Sequence, residues 1–86
     1  MMSPAERLGC FEAALRAQLA PTELQIDDES HLHAGHTSAG SAGHYRVYIA
    51  SPKLEGLSRV AQHRLVYDAL APWIPQEIHA LAIVVI

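Results

Sequence analysis

Cysteine is almost missing from this 86-residue chain: Cys10 stands alone. One thiol excludes an intramolecular disulfide framework and any all-cysteine metal site. Cationic charge is scarce as well. Six Lys and Arg face nine Asp and Glu, for a net charge of −3, a poor balance for a protein living on nucleic-acid phosphates. Long apolar runs are lacking too; the longest, Ala80 to Ile86, is far short of the roughly 20 residues that span a bilayer. No basic segment followed by an apolar one opens the chain, so no signal peptide is expected and a reducing cytoplasm is the expected location.

Half the residues are hydrophobic, 17% are charged and the mean hydropathy is +0.10. That balance fits one ordered domain over residues 1–86 rather than a disordered chain. A domain this small buries only about 60–65% of the surface its unfolded chain exposes, so its core must be compact. Against this background histidine is abundant: six residues, as many as Lys and Arg together. Full protonation would carry the net charge from −3 to +3. Histidine titrates near neutrality and is a common metal ligand.

Local signals give an order of elements. Ser3-Pro4-Ala5-Glu6 reads as a capping box with proline at the first helical position, and Leu8, Phe11, Leu15 and Leu19 recur at helical spacing until Pro21. Leu24 and Ile26 alternate with polar neighbours as a short strand. From Asp28 to Gly43 no apolar period survives, which marks a long loop, and loops of this length more often carry function than not. Tyr45, Val47 and Ile49 form a second alternating strand, stopped by Ser51-Pro52. Ser58 caps a second helix reaching about Ala71, with Val60, Leu65, Val66, Ala69 and Leu70 assigned to its buried side; Pro72 and Pro75 close it. Ile78 to Ile86 reads as a strand covered on both faces, or a central one. The expected fold is therefore a single small α/β (α+β) domain, α-β-β-α-β. Its first two strands are antiparallel, and the crossover from Ser51 to Glu77 makes the second and third parallel.

That topology has a consequence for the histidines. His31, His33 and His36 lie in the loop, His44 starts the second strand and His79 starts the third. Five of the six are thus expected at one end of a three-stranded mixed sheet, with His63 elsewhere on the second helix.

The residues also resemble a known family. Asp28-Glu29-Ser30 followed by His33, then His44-Tyr45-Arg46-Val47, Leu54-Glu55-Gly56-Leu57-Ser58, His63-Arg64-Leu65-Val66-Tyr67 and Ile78-His79-Ala80-Leu81 look like the BolA family. The likeness runs from about Leu8 to Ile83, its blocks in order and correctly spaced. It implies a fold related to the type II KH domain and partnership with a monothiol glutaredoxin. It also implies a [2Fe-2S] cluster shared with that partner and glutathione, with none in the isolated chain. By the same resemblance His79 matches the family's C-terminal ligand. The second ligand comes from the loop before the second strand, where this chain resembles the histidine subfamily rather than the cysteine one. His33 fits the loop spacing best; His44 matches a histidine often seen before that strand, and His36 is a further candidate. Two neutral imidazoles on one iron raise a cluster's potential and make its ligation proton-sensitive, as in Rieske centres. Some members continue beyond the last strand, so a function carried there is not expected of a chain stopping at Ile86.

Blander readings stand beside these. A histidine in a glycine-rich loop is usually a solvated polar residue, the reading favoured for His31, and His33/His36 form a short spacing that chance supplies. A plain Zn²⁺ or Ni²⁺ site is not separated by spacing alone. His63 is expected to pack as a structural residue. Family members are also described as transcriptional regulators, and Lys53, Arg59, His63 and Arg64 form a candidate nucleic-acid patch. The Pro52-to-Gly56 stretch, though, holds one glycine and an acid where a KH domain has Gly-x-x-Gly. So few cations on an acidic chain predict weak, salt-sensitive contact with DNA. Enzyme activity is not expected: no nucleophile–base pair has recognisable spacing, Ser30 and His33 sit in a loop that would orient them poorly, and Cys10 belongs to a packing stripe. The free chain is expected to be a monomer or weak homodimer, off membranes, acting in iron–sulfur trafficking or iron-dependent and stress regulation.

Overall fold

A computed structural model describes residues 2–33 and 42–86. Helix α1 spans Pro4–Leu19 and strand β1 Glu23–Asp28, followed by a 3₁₀ turn at Ser30–His33. Strand β2 is Gly43–Ala50, helix α2 Arg59–Leu70 and strand β3 Ile78–Val85, with 3₁₀ turns at Pro52–Leu54 and Ala71–Trp73. The sheet order is β1-β2-β3, with β1 antiparallel and β3 parallel to β2. This is the expected mixed sheet.

Each helix begins where a side chain can satisfy its open N–H groups. The Ser3 hydroxyl accepts from the Glu6 N–H while the Glu6 carboxylate accepts from the Ser3 N–H, closing the capping box. The Ser58 hydroxyl caps α2 by accepting from the Ala61 N–H. Helix α1 ends at Ala20, which takes a left-handed φ of 43° just before Pro21. Ser51 then ties that end to the sheet, donating to the Leu19 carbonyl and accepting from the Lys53 N–H.

Both helices lie on one face of the sheet. Phe11, Leu15 and Leu19 of α1 and Val66, Ala69 and Leu70 of α2 meet Tyr45, Val47 and Ile49 of β2, with Leu54 and Ile78. Phe11 sits edge-on to Tyr45 at 5.1 Å and to Trp73 at 5.5 Å between ring centroids, a favourable aromatic geometry. Along β2 burial alternates strictly, odd residues inward and even ones outward, as a strand with one covered face requires.

Two expectations need correction. Val60 is 66% exposed; at about 100° per residue it lies on the side of α2 away from Val66. Strand β3 is neither central nor covered on both faces. It is an edge strand whose Leu81, Ile83 and Val85 pack on the core while His79 and Ala80 are exposed. Its continuous apolar sequence reflects the small residues Ala80 and Ala82 on the open face rather than a second cover. Leu8 packs against the core as its spacing implies, and Arg7 beside it is buried as well.

Candidate histidine site at the end of the sheet

The described start of the long loop is built by the acidic motif that precedes it. The Asp28 carboxylate accepts from the Ser30 N–H at 2.9 Å, a local turn that folds the chain back. The Ser30 hydroxyl then accepts from the His44 N–H at 3.1 Å, and the Glu29 N–H donates to the His44 carbonyl at 2.7 Å. Arg46 donates to Glu29 at 3.0 Å, and the Glu29 carboxylate holds the Arg46 guanidinium above its ordinary pKa. Asp28, Glu29 and Ser30 thereby tie the loop's first turn to the first residue pairs of β2.

The other half of the site comes from β3. Gly43 pairs with Ile78, but His44 pairs with Ala80, so β3 carries one extra residue at His79. Such a bulge resets the in–out alternation and re-aims the side chain at the extra position. Ile78 and Leu81, three apart, both face the helices, while His79 turns outward beside His44. The two imidazoles lie 5.2 Å apart between ring centroids, inclined by 54°. Two imidazoles bound to one tetrahedral metal, with bonds of about 2.0–2.1 Å, have centroids roughly 5 Å apart. The ring separation matches that of two imidazoles on one ion.

Beneath this corner lies a polar support that sequence reading missed. Arg7, from the first turns of α1, donates to the Glu77 carboxylate at 2.6 Å, with the two side chains 8% and 19% exposed. The Glu77 carbonyl accepts from the Gly43 N–H at 3.0 Å. Burial alone would lower the Arg7 pKa, but the Tyr45 and Glu77 oxygens beside it raise it. Burial pushes the Tyr45 phenol up, against the pull of Arg7. A Cβ on Gly43 would stand 2.6 Å from the Ser30 hydroxyl and 2.7 Å from the Tyr45 ring and hydroxyl, so this position is fitted to glycine. No local sequence signal marks the cluster, because Arg7 and Glu77 lie seventy residues apart.

Of the expected site residues, the structure brings His44 and His79 together. His31 is exposed in the 3₁₀ turn, and His33 closes that turn, with its side chain outside the described residues. His36 also lies outside them. Among the described residues, no three His, Cys, Asp or Glu side chains gather to hold a metal ion. His63 faces a groove between α2 and β3 rather than this corner. Arg59 and Arg64 are exposed on α2, and the Lys53 ammonium donates to the Gln18 carbonyl at 3.1 Å. Cys10 is half-buried against the core, its thiol 3.7 Å from the Met2 sulfur.

Comparison with known proteins agrees with this architecture. The family profile described as BolA-like protein matches residues 15–86. The chain belongs to the BolA family. The mouse BolA-like protein 1 is 43% identical over 79 residues, covering 87% of this chain and 56% of its own length. The chloroplastic/mitochondrial SufE-like protein 1 of Arabidopsis thaliana is 42% identical over 76 residues, 81% of this chain and 20% of the larger protein. In Escherichia coli (strain K12) the DNA-binding transcriptional regulator BolA is 36% identical over 73 residues, 85% of this chain and 68% of its own length. This BolA chain thus spans about a fifth of the plant protein and little over half of the mammalian one. The BolA domain of SufE1 from Arabidopsis thaliana superposes with a TM-score of 0.82 at 35% identity, covering 99% of this chain and 93% of that domain. BolA1 from the same plant gives 0.77 at 37% identity, with 99% and 92% coverage. No helix among the described residues is long and apolar enough to cross a membrane.

Proposed function

We propose that this BolA-family chain is an adaptor that docks on a monothiol glutaredoxin and co-ligates a [2Fe-2S] cluster with that protein and glutathione. The observation that carries the reading is the His44–His79 pair, two imidazoles 5.2 Å apart on the second residues of adjacent strands. A [2Fe-2S] cluster takes four ligands, and two histidines on one iron leave the other iron to thiolates. Two imidazoles meet at this corner, and two histidine ligands are what one iron of a shared cluster would take. When bound, the cluster supplies one-electron chemistry or a transferable iron–sulfur unit. The chain's own part is to hold the His79 ring in place through the bulge and to offer a second nitrogen from the loop side. Proximity favours His44 for that role, and the family's spacing favours His33. Iron–sulfur trafficking or iron-dependent regulation follows from such an adaptor; no catalytic role is assigned to the chain.

Anaerobic reconstitution with a monothiol glutaredoxin, glutathione, iron and sulfide tests this, read by size exclusion and visible circular dichroism. The expected result is a one-to-one complex whose spectrum differs from that of the glutaredoxin dimer and is lost or altered in His79→Ala. Parallel His44→Ala, His33→Ala and His36→Ala samples identify the second nitrogen. Absence of a heterocomplex, or an unchanged His79→Ala spectrum, defeats the reading.

A second reading, nucleic-acid binding through α2, has one observation in its favour: Arg59 and Arg64 take part in none of the ion pairs among the described residues. Two or three phosphate contacts give a log–log salt slope of only about −2 to −3. Titration of duplex DNA at several salt concentrations checks it. No measurable binding at low salt removes that reading.

A further inference from the structure

We infer that the free edge of β3, with the row of α2 residues beside it, is a docking strip for an extended acidic segment of another protein. The inference does not rest on the cluster reading. The strip lies four to six residues along β3 from His79, roughly 13–20 Å away at strand rise.

The backbone argument comes first. The Ile86 N–H donates to the Ile49 carbonyl, so in this parallel pair the even residues of β3 turn their polar groups toward β2. The odd residues, Leu81, Ile83 and Val85, turn theirs outward. The structure bears this out at one of them, where the Tyr67 hydroxyl donates to the Leu81 carbonyl at 3.1 Å. Ile83 and Val85 continue the same edge. Edge strands are ordinarily guarded by a charged residue, proline or a covering element, yet β3 from Ala80 to Val85 contains neither charge nor proline.

The side chains choose the occupant. Beside the edge runs a groove of about 450 Å³ lined by Arg59, Gln62, His63, Ile83, Val84 and Val85. At helical spacing Arg59, His63 and Tyr67 form one row along it, with exposed Val60 and Arg64 beside them. The other three arginines are each paired with a glutamate, Arg7 with Glu77, Arg16 with Glu12 and Arg46 with Glu29. Arg59 and Arg64 form no ion pair among the described residues and, with His63 between them, put two cations beside this edge, against the exposed Asp68 one turn beyond Arg64. A strand with alternating apolar and acidic residues would add to the edge by main-chain hydrogen bonds and meet these cations with its carboxylates. A second copy of the chain is the poorer occupant, because two-fold β3–β3 pairing sets two identical cationic rows against each other.

The test uses the full chain, labelled with ¹⁵N and titrated with a capped octapeptide alternating Val and Glu. The expected result is saturable shifts at the Ile83, Val85, Arg59 and His63 amides, with slowed hydrogen exchange at Ile83 and Val85. Arg59→Glu/Arg64→Glu should weaken binding by about tenfold or more, a loss of at least ~1.4 kcal/mol. Methylating alternate peptide amides should abolish it. Both arginines are exposed, and the variant's own spectrum reports whether it is folded. No shift at the β3 edge up to millimolar peptide overturns the inference, as does equal binding of a capped octapeptide alternating Val and Lys. Tighter binding of oligothymidine at the same residues makes the strip a nucleic-acid surface instead. Concentration-dependent shifts at Ile83 and Val85 without peptide assign it to a second copy of the chain.

Discussion

Replacing Arg7 by Met removes the guanidinium but keeps a side chain of similar length, which isolates the Arg7–Glu77 pair from simple loss of volume. The pair is 2.6 Å apart, and Arg7 is 8% exposed. Breaking a buried ion pair by removing one partner costs about 3–5 kcal/mol, because the remaining charge is stranded. Glu77 keeps 19% of its side-chain surface and so retains some water, which puts the expected cost at about 2–3 kcal/mol. For a domain of this size the total stability is about 4–13 kcal/mol, so the loss is a large share of it. At ~4–8 °C per kcal/mol, the melting temperature should fall by about 10–20 °C. The double variant Arg7→Met/Glu77→Leu removes both charges and should return to within about 1 kcal/mol of the parent. Urea denaturation followed by circular dichroism measures all three. If the double variant is no more stable than Arg7→Met, the stranded-charge reasoning is wrong. The cross-relaxation between the His44 and His79 rings gives a second readout: it should weaken in folded Arg7→Met, since Glu77 also holds the Gly43 N–H. An unchanged signal would confine the pair to stability.

Other outcomes follow from the same corner and from the core. Gly43→Ala places a Cβ 2.6 Å from the Ser30 hydroxyl and should cost about 1–3 kcal/mol as overpacking; a denaturation midpoint equal to the parent's would contradict the fit. The folded Tyr45 phenol titrates above its ordinary 10.0 because of burial. Its contribution is therefore whole below pH 10.0 and is lost as pH rises through the folded value. Urea midpoints across that alkaline range should fall more steeply in the parent than in Tyr45→Phe, and parallel slopes would refute the assignment. Phe11, with no exposed surface and two aromatic partners, should lose about 3–5 kcal/mol on truncation to Ala. Val60→Lys on the open side of α2 should stay within about 0.5 kcal/mol, and calorimetry compares the two directly.

The elements were legible because each carries its own punctuation. Ser3 and Ser58 cap, Pro21 and Pro52 stop, and Tyr45, Val47 and Ile49 alternate. The parallel pairing of β2 and β3 followed from the crossover between them. Solvent exposure was harder to read. Val60 looks like a core residue by type, and only its angular distance from Val66 moves it outward. The apolar run in β3 imitates a central strand because alanine at 80 and 82 serves an open face without a polar marker. The Arg7–Glu77 pair joins residues seventy apart in sequence, and no local pattern announces such a contact. At the candidate site, the gathering of His44 and His79 was legible from topology alone, but the way they meet was not.

That meeting depends on a one-residue offset. In a regular strand Ile78 and Ala80 would share the buried face, and His79 and Leu81 would share the open one. The extra residue opposite the Gly43–His44 step reverses this after His79, so that Leu81 returns to the core and His79 stays beside His44. The Ile78-His79-Ala80-Leu81 block therefore combines two demands: apolar residues three apart to anchor both sides of the bulge, and a histidine free of the core between them. Asp28, Glu29 and Ser30 do the corresponding work across the sheet, using a carboxylate, an ion pair and a hydroxyl to fix the turn against His44. The sequence blocks that resemble the family are thus, in large part, the parts that hold this corner together. A site built this way keeps its imidazoles on strand ends rather than on loop alone, which is the preorganisation that the proposed ligation requires.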